Sequence, residues 1–140
     1  LSAFFSHRGR AKDYPGSYLQ IDPEGVLVGG GIYGLQPKPL HSVREFVYDN
    51  REAFRNIIED PTFVKTFGEI RGEKNKVLPK DLKAKAEAEP LLYNKGWYVM
   101  AQLPPALVTS KELIPKVIET MLIAEPLTDF FRRAMGTVGA

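Results

Sequence analysis

Val26-Leu27-Val28-Gly29-Gly30-Gly31-Ile32-Tyr33 begins and ends as a β-strand and has no side chains at its centre. β-Branched and aromatic residues suit a pleated surface, whereas three successive glycines cost backbone entropy and offer nothing to pack. A sheet carries such a segment where another backbone, a ring or a ligand must come close. Two readings stand: a bulge or close helix–sheet contact, or a strand that faces a ligand. Asp22-Pro23-Glu24-Gly25 precedes the segment as a turn. Pro presets φ at the second position and Gly suits the fourth. Ser17 to Ile21, before that turn, has strand character, so the two strands form a hairpin.

Working outward, Leu1 to Ser6 is apolar and aromatic and reads as a further strand. His7 to Gly16 is a polar, basic loop. Trp97 to Leu103 follows the Asn94-Lys95-Gly96 turn as an aromatic and aliphatic strand, which Pro104-Pro105 ends. Gly34 to Leu40 contains Pro37 and Pro39 and reads as a connection. Ser42-Val43-Arg44-Glu45 matches a capping box, which predicts an amphipathic helix from there to about Glu59. Asp60-Pro61 opens a short helix that ends near Gly68. Arg71 to Leu78 reads as a charged loop and Lys80 to Glu89 as a surface helix. Leu113 to Leu122 is amphipathic, with Pro115 in the first turn. Glu125-Pro126 is expected to break it, so Leu127 to Met135 forms a last helix before a loose tail from Gly136. This order lacks an alternating βα rhythm. It predicts an α+β fold: an antiparallel sheet of about four strands with helices packed mainly on one face, in one domain over residues 1–140. The chain opens inside a strand pattern without Met, so a further N-terminal segment is expected.

The 140 residues suffice for a real core, and 44% hydrophobic with 26% charged residues is ordinary for a globular protein. The absence of cysteine excludes disulfides, thiolate metal sites and a cysteine nucleophile. No apolar run is long enough to span a bilayer, so no membrane partner is expected and the cytoplasm is the default compartment. A net charge of +2 is too small to argue for nucleic acid. Residues 61–85 do hold seven Lys or Arg against three acids. No aromatic residue interleaves the lysines from 71 to 85, so a solvated face is the expectation there and nucleic acid is not.

The glycines do not match a phosphate-binding signature. Gly29, Gly31 and Gly34 have G-x-G-x-x-G spacing, but a dinucleotide fingerprint leads directly into a helix, whereas a proline-containing loop is expected here, and no Gly-Lys-Ser/Thr follows. Arg44, Tyr48, Arg51 and Arg55 fall on one helical face, where guanidiniums could clamp a carboxylate or phosphate. The alternative is a solvated face, with Arg55 paired to Glu52 or Glu59. Arg44 stands nearest the glycine strand. His7 and His41, the only histidines, read as loop residues with no His or carboxylate at ligand spacing, so no metal site is expected. No G-x-S-x-G elbow is present, and Ser6 and Ser17 have no recognisable base partner. Alternation sets Tyr18 and Gln20 on one face, with Leu19 and Ile21 on the other.

Ala3-Phe4-Phe5-Ser6, Tyr18-Leu19-Gln20-Ile21, Gly29-Gly30-Gly31-Ile32-Tyr33, Pro39-Leu40, Val43-Arg44, Lys95-Gly96-Trp97-Tyr98-Val99 and Glu125-Pro126-Leu127 together resemble a bacterial family defined as domain of unknown function 2461. The resemblance covers nearly the whole chain. That family's signature, Arg-x-x-Arg-Asp-x-Arg-Phe followed by a Lys and a Tyr, lies upstream of the strand at which this chain begins. The resemblance implies that Gly29, Gly30, Gly31, Tyr33 and Arg44 are pattern positions, and it names no activity, cofactor or substrate.

These readings converge on a small anionic ligand bound at Tyr18, Gly29, Gly30, Gly31 and Tyr33, with Arg44 contributing charge. An enzyme would need upstream Arg and Asp residues to complete the site. The alternative is a non-catalytic interaction module that meets nucleic acid or protein through the basic segment 71–85. Neither a cofactor nor an oligomeric state follows from the residues.

Overall fold

The computed structural model describes residues 2–6 and 15–138. Strands β1 (Ser2–Ser6), β2 (Gly16–Asp22), β3 (Gly25–Ile32) and β4 (Trp97–Leu103) lie side by side in chain order, and every neighbouring pair is antiparallel. The hairpin turn forms as its residues predict: Asp22 Oδ1 accepts the Glu24 N–H at 2.9 Å, and Gly25 takes φ +142°. Register then follows the alternation. Tyr18 stands opposite Gly29, which stands opposite Met100, while Leu19, Val28 and Ala101 share the other face.

The helices are α1 (Pro37–Asp49), α2 (Arg51–Ile58), α3 (Pro61–Phe67), α4 (Lys80–Ala88) and α5 (Leu113–Val138), with 3₁₀ turns at Pro90–Tyr93 and Pro105–Thr109. The class is α+β. Three boundaries differ from the expectation. First, α1 begins at Pro37 instead of Ser42, with Gln36 as a cap that makes no side-chain bond. Its first residues need no N–H, so Pro37 and Pro39 start the helix instead of preceding it. Second, α1 and α2 are separate. Asn50 stands between them, and both its amide Nδ2 and its main-chain N–H donate to Phe46 O, at 2.9 and 3.0 Å. Third, α5 runs unbroken through Pro126. An interior proline costs about 3 kcal/mol. The carbonyl it orphans belongs to Leu122, which is 65% exposed, so water can meet it. Burial of Ala124, Leu127, Phe130, Phe131 and Ala134 outweighs that cost, at roughly 1.5–3 kcal/mol for each large side chain. At α3 the reading holds: Asp60 accepts the Phe63 N–H at 3.0 Å, and Gly68 at φ +74° ends the helix.

The core lies between one face of the sheet and the helices. Val26, Val28, Ile32, Trp97, Val99, Ala101 and Leu103 are buried there, with Val43 and Val47 of α1, Phe54 of α2 and the inner face of α5. Trp97 stacks on Phe131 with ring centroids 5.4 Å apart and donates from Nε1 to Leu91 O at 2.9 Å. Segment 71–75 runs beside β4 and is tied to that region through the Arg71–Tyr98 and Lys74–Asn94 bridges. Among the described residues, no helix is long and apolar enough to cross a membrane.

Candidate functional site

Three different close approaches require the three glycines. A Cβ on Gly29 would collide with Val99 O and Met100 Sδ. One on Gly30 would point the other way, 2.8 Å from Thr128 Oγ1 and 3.3 Å from Ala124 Cβ of α5. Gly31 has φ +124°, and its Cβ would meet the main chain at Trp97. The segment thus lets β4 and α5 approach β3 from two sides.

Removal of these side chains also leaves space on the sheet face away from α5. A hollow of about 240 Å³ is lined by Gly16, Tyr18, Gly30, Gly31, Tyr33 and Tyr98, with Val99 and Met100 completing it. Its lining comes from β2, β3, the residue after β3, and β4. Tyr18 is held from behind by a relay: its hydroxyl donates to Gln20 Oε1 at 2.7 Å, and Gln20 Nε2 donates to Asp22 Oδ2 at 2.9 Å. The Gln20 bond, followed by the Glu24 N–H, pulls the Asp22 carboxyl below its ordinary pKa of 3.8. With its proton committed to Gln20, the Tyr18 oxygen can act only as an acceptor toward a third group.

A second hollow, of about 290 Å³, adjoins the first and is lined by Gly34, Leu35, Gly72, Glu73, Lys95 and Gly96 together with Tyr33 and Tyr98. Those two rings meet edge to face at 6.0 Å and belong to both hollows. Lys95 Nζ lies 3.9 Å from Glu73 Oε2, a loose pair between half-exposed and exposed side chains. The first hollow is aromatic and apolar in character, and the second carries charge.

The structure brings Tyr18, Gly30, Gly31 and Tyr33 together at the first hollow, with Gly29 beside them in register with Tyr18. It does not bring Arg44 there. Arg44 is 5% exposed, and its guanidinium donates to Asn94 O from Nε and Nη2, to Tyr93 O and to Asn75 Oδ1. Its charge satisfies the end of the Pro90–Tyr93 turn and the loop at Asn75; burial lowers its pKa. The arginine stripe is spent on the protein in the same way. Arg51 covers the Tyr48 ring at 4.4 Å, and Arg55 makes a forked bond to Glu89, a carboxylate only 1% exposed, with Glu59 nearby at 3.5 Å.

Sequence reading missed Tyr98, Met100 and Lys95. The signal for the first two was available: alternation along Trp97–Leu103 sets them on the face opposite buried Trp97 and Val99. Lys95 carried no such signal, because its place depends on the fold of segment 71–75 against β4. His41 is a further correction. It lies inside α1, so Glu45 is one turn away at ligand spacing. His7 and most of the predicted loop to Gly16 lie outside the described residues.

No curated protein and no solved structure gives a significant match to the chain. The model of a family described as "Conserved hypothetical protein (DUF2461)" matches residues 1–130 of the 140. The chain belongs to that family.

Proposed function

We propose that the protein binds a small molecule across the two adjoining hollows, with a flat, largely apolar part against Tyr18, Met100 and the Gly30-Gly31 main chain and an anionic end toward Lys95. The observation that carries this reading is the paired character of the groove: a ring-lined compartment and a charged one share Tyr33 and Tyr98 as a common wall. Small-molecule sites are concave, mostly apolar and fixed by a few polar groups, with volumes of about 300–1,000 Å³; the two hollows together are of that size. Main chain without side chains lets a ring lie directly on the sheet, and phenols supply edge and hydrogen-bond contacts. The cation assigned to the ligand is Lys95, because Arg44 is buried and its Nε and Nη2 are already engaged by Asn75, Tyr93 and Asn94. The described lining offers stacking and hydrogen bonding, which suits recognition; a catalytic role would need groups contributed from elsewhere.

A thermal-shift screen of aromatic carboxylates and phosphates beside their neutral amides tests this reading. The expected result is stabilisation by at least one anion, lost in Tyr98→Ala, with Lys95→Ala losing only the preference for anion over amide. Absence of any shift, or shifts that survive Tyr98→Ala, contradicts it.

A further inference from the structure

His41 and Glu45 project from adjacent turns of α1, and Asp81 stands in the first turn of α4. Their side chains meet. His41 Nε2 lies 3.2 Å from Asp81 Oδ2 and 3.5 Å from Glu45 Oε1, and one ligand atom from each residue lies within 4.8 Å of the others. A ring nitrogen carries at most one proton, so Nε2 cannot donate to both carboxylates at once. A cation at the centre satisfies all three. Zinc binds imidazole nitrogen and carboxylate oxygen at about 2.0–2.2 Å, and tetrahedral geometry at that radius separates neighbouring ligand atoms by about 3.4 Å. The two measured separations, 3.2 and 3.5 Å, bracket that edge.

We propose that His41, Glu45 and Asp81 form a binding site for a divalent cation of the zinc class, which clips α4 onto α1. The donor set fits that class. Two carboxylates balance the charge of the ion, and one imidazole favours zinc over magnesium or calcium. Side-chain exposures of 38%, 45% and 57% leave the ion a path in and room for water at the remaining position. The clip also has a mechanical purpose. Among its described residues α4 buries only Leu82 and Ala86, a small apolar anchor for a nine-residue helix. A metal bond to Asp81 fixes the first turn of that helix to α1.

The site is independent of the groove, and its test does not involve a small-molecule ligand. Isothermal titration of chelator-treated protein with ZnCl₂ is expected to show one equivalent bound. Removal of one ligand, in His41→Ala or Asp81→Asn, weakens binding by at least about tenfold. Substitution by Co²⁺ gives visible d–d absorption that His41→Ala lacks. Zn²⁺ slows amide exchange at Leu82 and Ala86 in the parent chain and leaves it unchanged in Asp81→Asn. All three residues are at the surface, and Glu45→Gln, which keeps shape and removes charge, guards against a folding artefact. Failure to bind a stoichiometric ion, or binding unaffected in both His41→Ala and Asp81→Asn, overturns the proposal and leaves the trio as a hydrogen-bonded charge cluster.

Discussion

At the scale of single residues, Gly30 and Arg44 explain most of what the chain does with its unusual positions. Gly30 was legible as a place of close approach, but whether to a helix or a ligand was not, because that depends on which way one Cβ would point. It would point at Thr128 Oγ1, 2.8 Å away, a buried hydroxyl with no hydrogen-bond partner among the described atoms. Gly30→Ala is therefore expected to destabilise by about 1–3 kcal/mol in urea unfolding, and the increment shrinks in a Thr128→Ala background. An equal cost in both backgrounds contradicts the contact. Arg44 was legible as a special arginine from its helical face, its nearness to the glycine strand and its family pattern, but its structural task was not. Its acceptors, Asn75, Tyr93 and Asn94, lie 31, 49 and 50 residues away, beyond any local pattern. Loss of a buried charged donor removes the bonds to Asn94 O and Asn75 Oδ1, while Tyr93 O keeps the Asn75 N–H, so Arg44→Met should cost about 2–4 kcal/mol, read as a lower urea midpoint at unchanged slope. Arg44→Lys should recover little, since one ammonium cannot reproduce the fork. Asp22 supplies a pH test. Its folded pKa lies below 3.8, so its contribution to the hairpin is present above that value and disappears as pH falls through the lower, folded one. An NMR titration of the Asp22 carboxyl should show a midpoint under 3.8, and a midpoint at or above it contradicts the Tyr18–Gln20–Asp22 relay.

At the scale of elements, the strands were readable because alternation and the Asp22–Gly25 turn are local signals, and the α3 cap at Asp60 was readable for the same reason. The helix starts and breaks were not. Pro37 and Pro39 have the local pattern of a connection, although prolines are harmless in a first turn. Only with that earlier start do His41 and Glu45 fall one helical turn apart. Pro126 is a local signal for a break, but tertiary burial along Ala124–Ala134 overrides local propensity. Pro126→Ala is expected to restore a backbone bond in a helix that already exists and to raise stability by about 1 kcal/mol or more in urea unfolding. A loss of stability would mean that the ring at 126 makes a contact worth more than the bond it removes.

At the scale of the whole molecule, the sheet has two faces with different tasks. One is packed against α1, α2 and α5 around Trp97 and Phe131. The other carries Tyr18, Met100 and Tyr98 around the glycine segment and runs into the hollow beside Lys95. Composition and periodicity made the first face legible. The second was legible only in part: alternation marks Tyr98, but Lys95 reaches this face only through the bridges at Arg71 and Lys74. The claim that this second face is a ligand site is tested most directly by ¹H–¹⁵N chemical-shift mapping with an aromatic carboxylate or phosphate selected by thermal shift. Saturable shifts concentrated at the amides of Tyr18, Gly30, Gly31, Tyr33, Lys95 and Tyr98 are expected. Saturable shifts confined to other surfaces, or none at millimolar ligand, would contradict it.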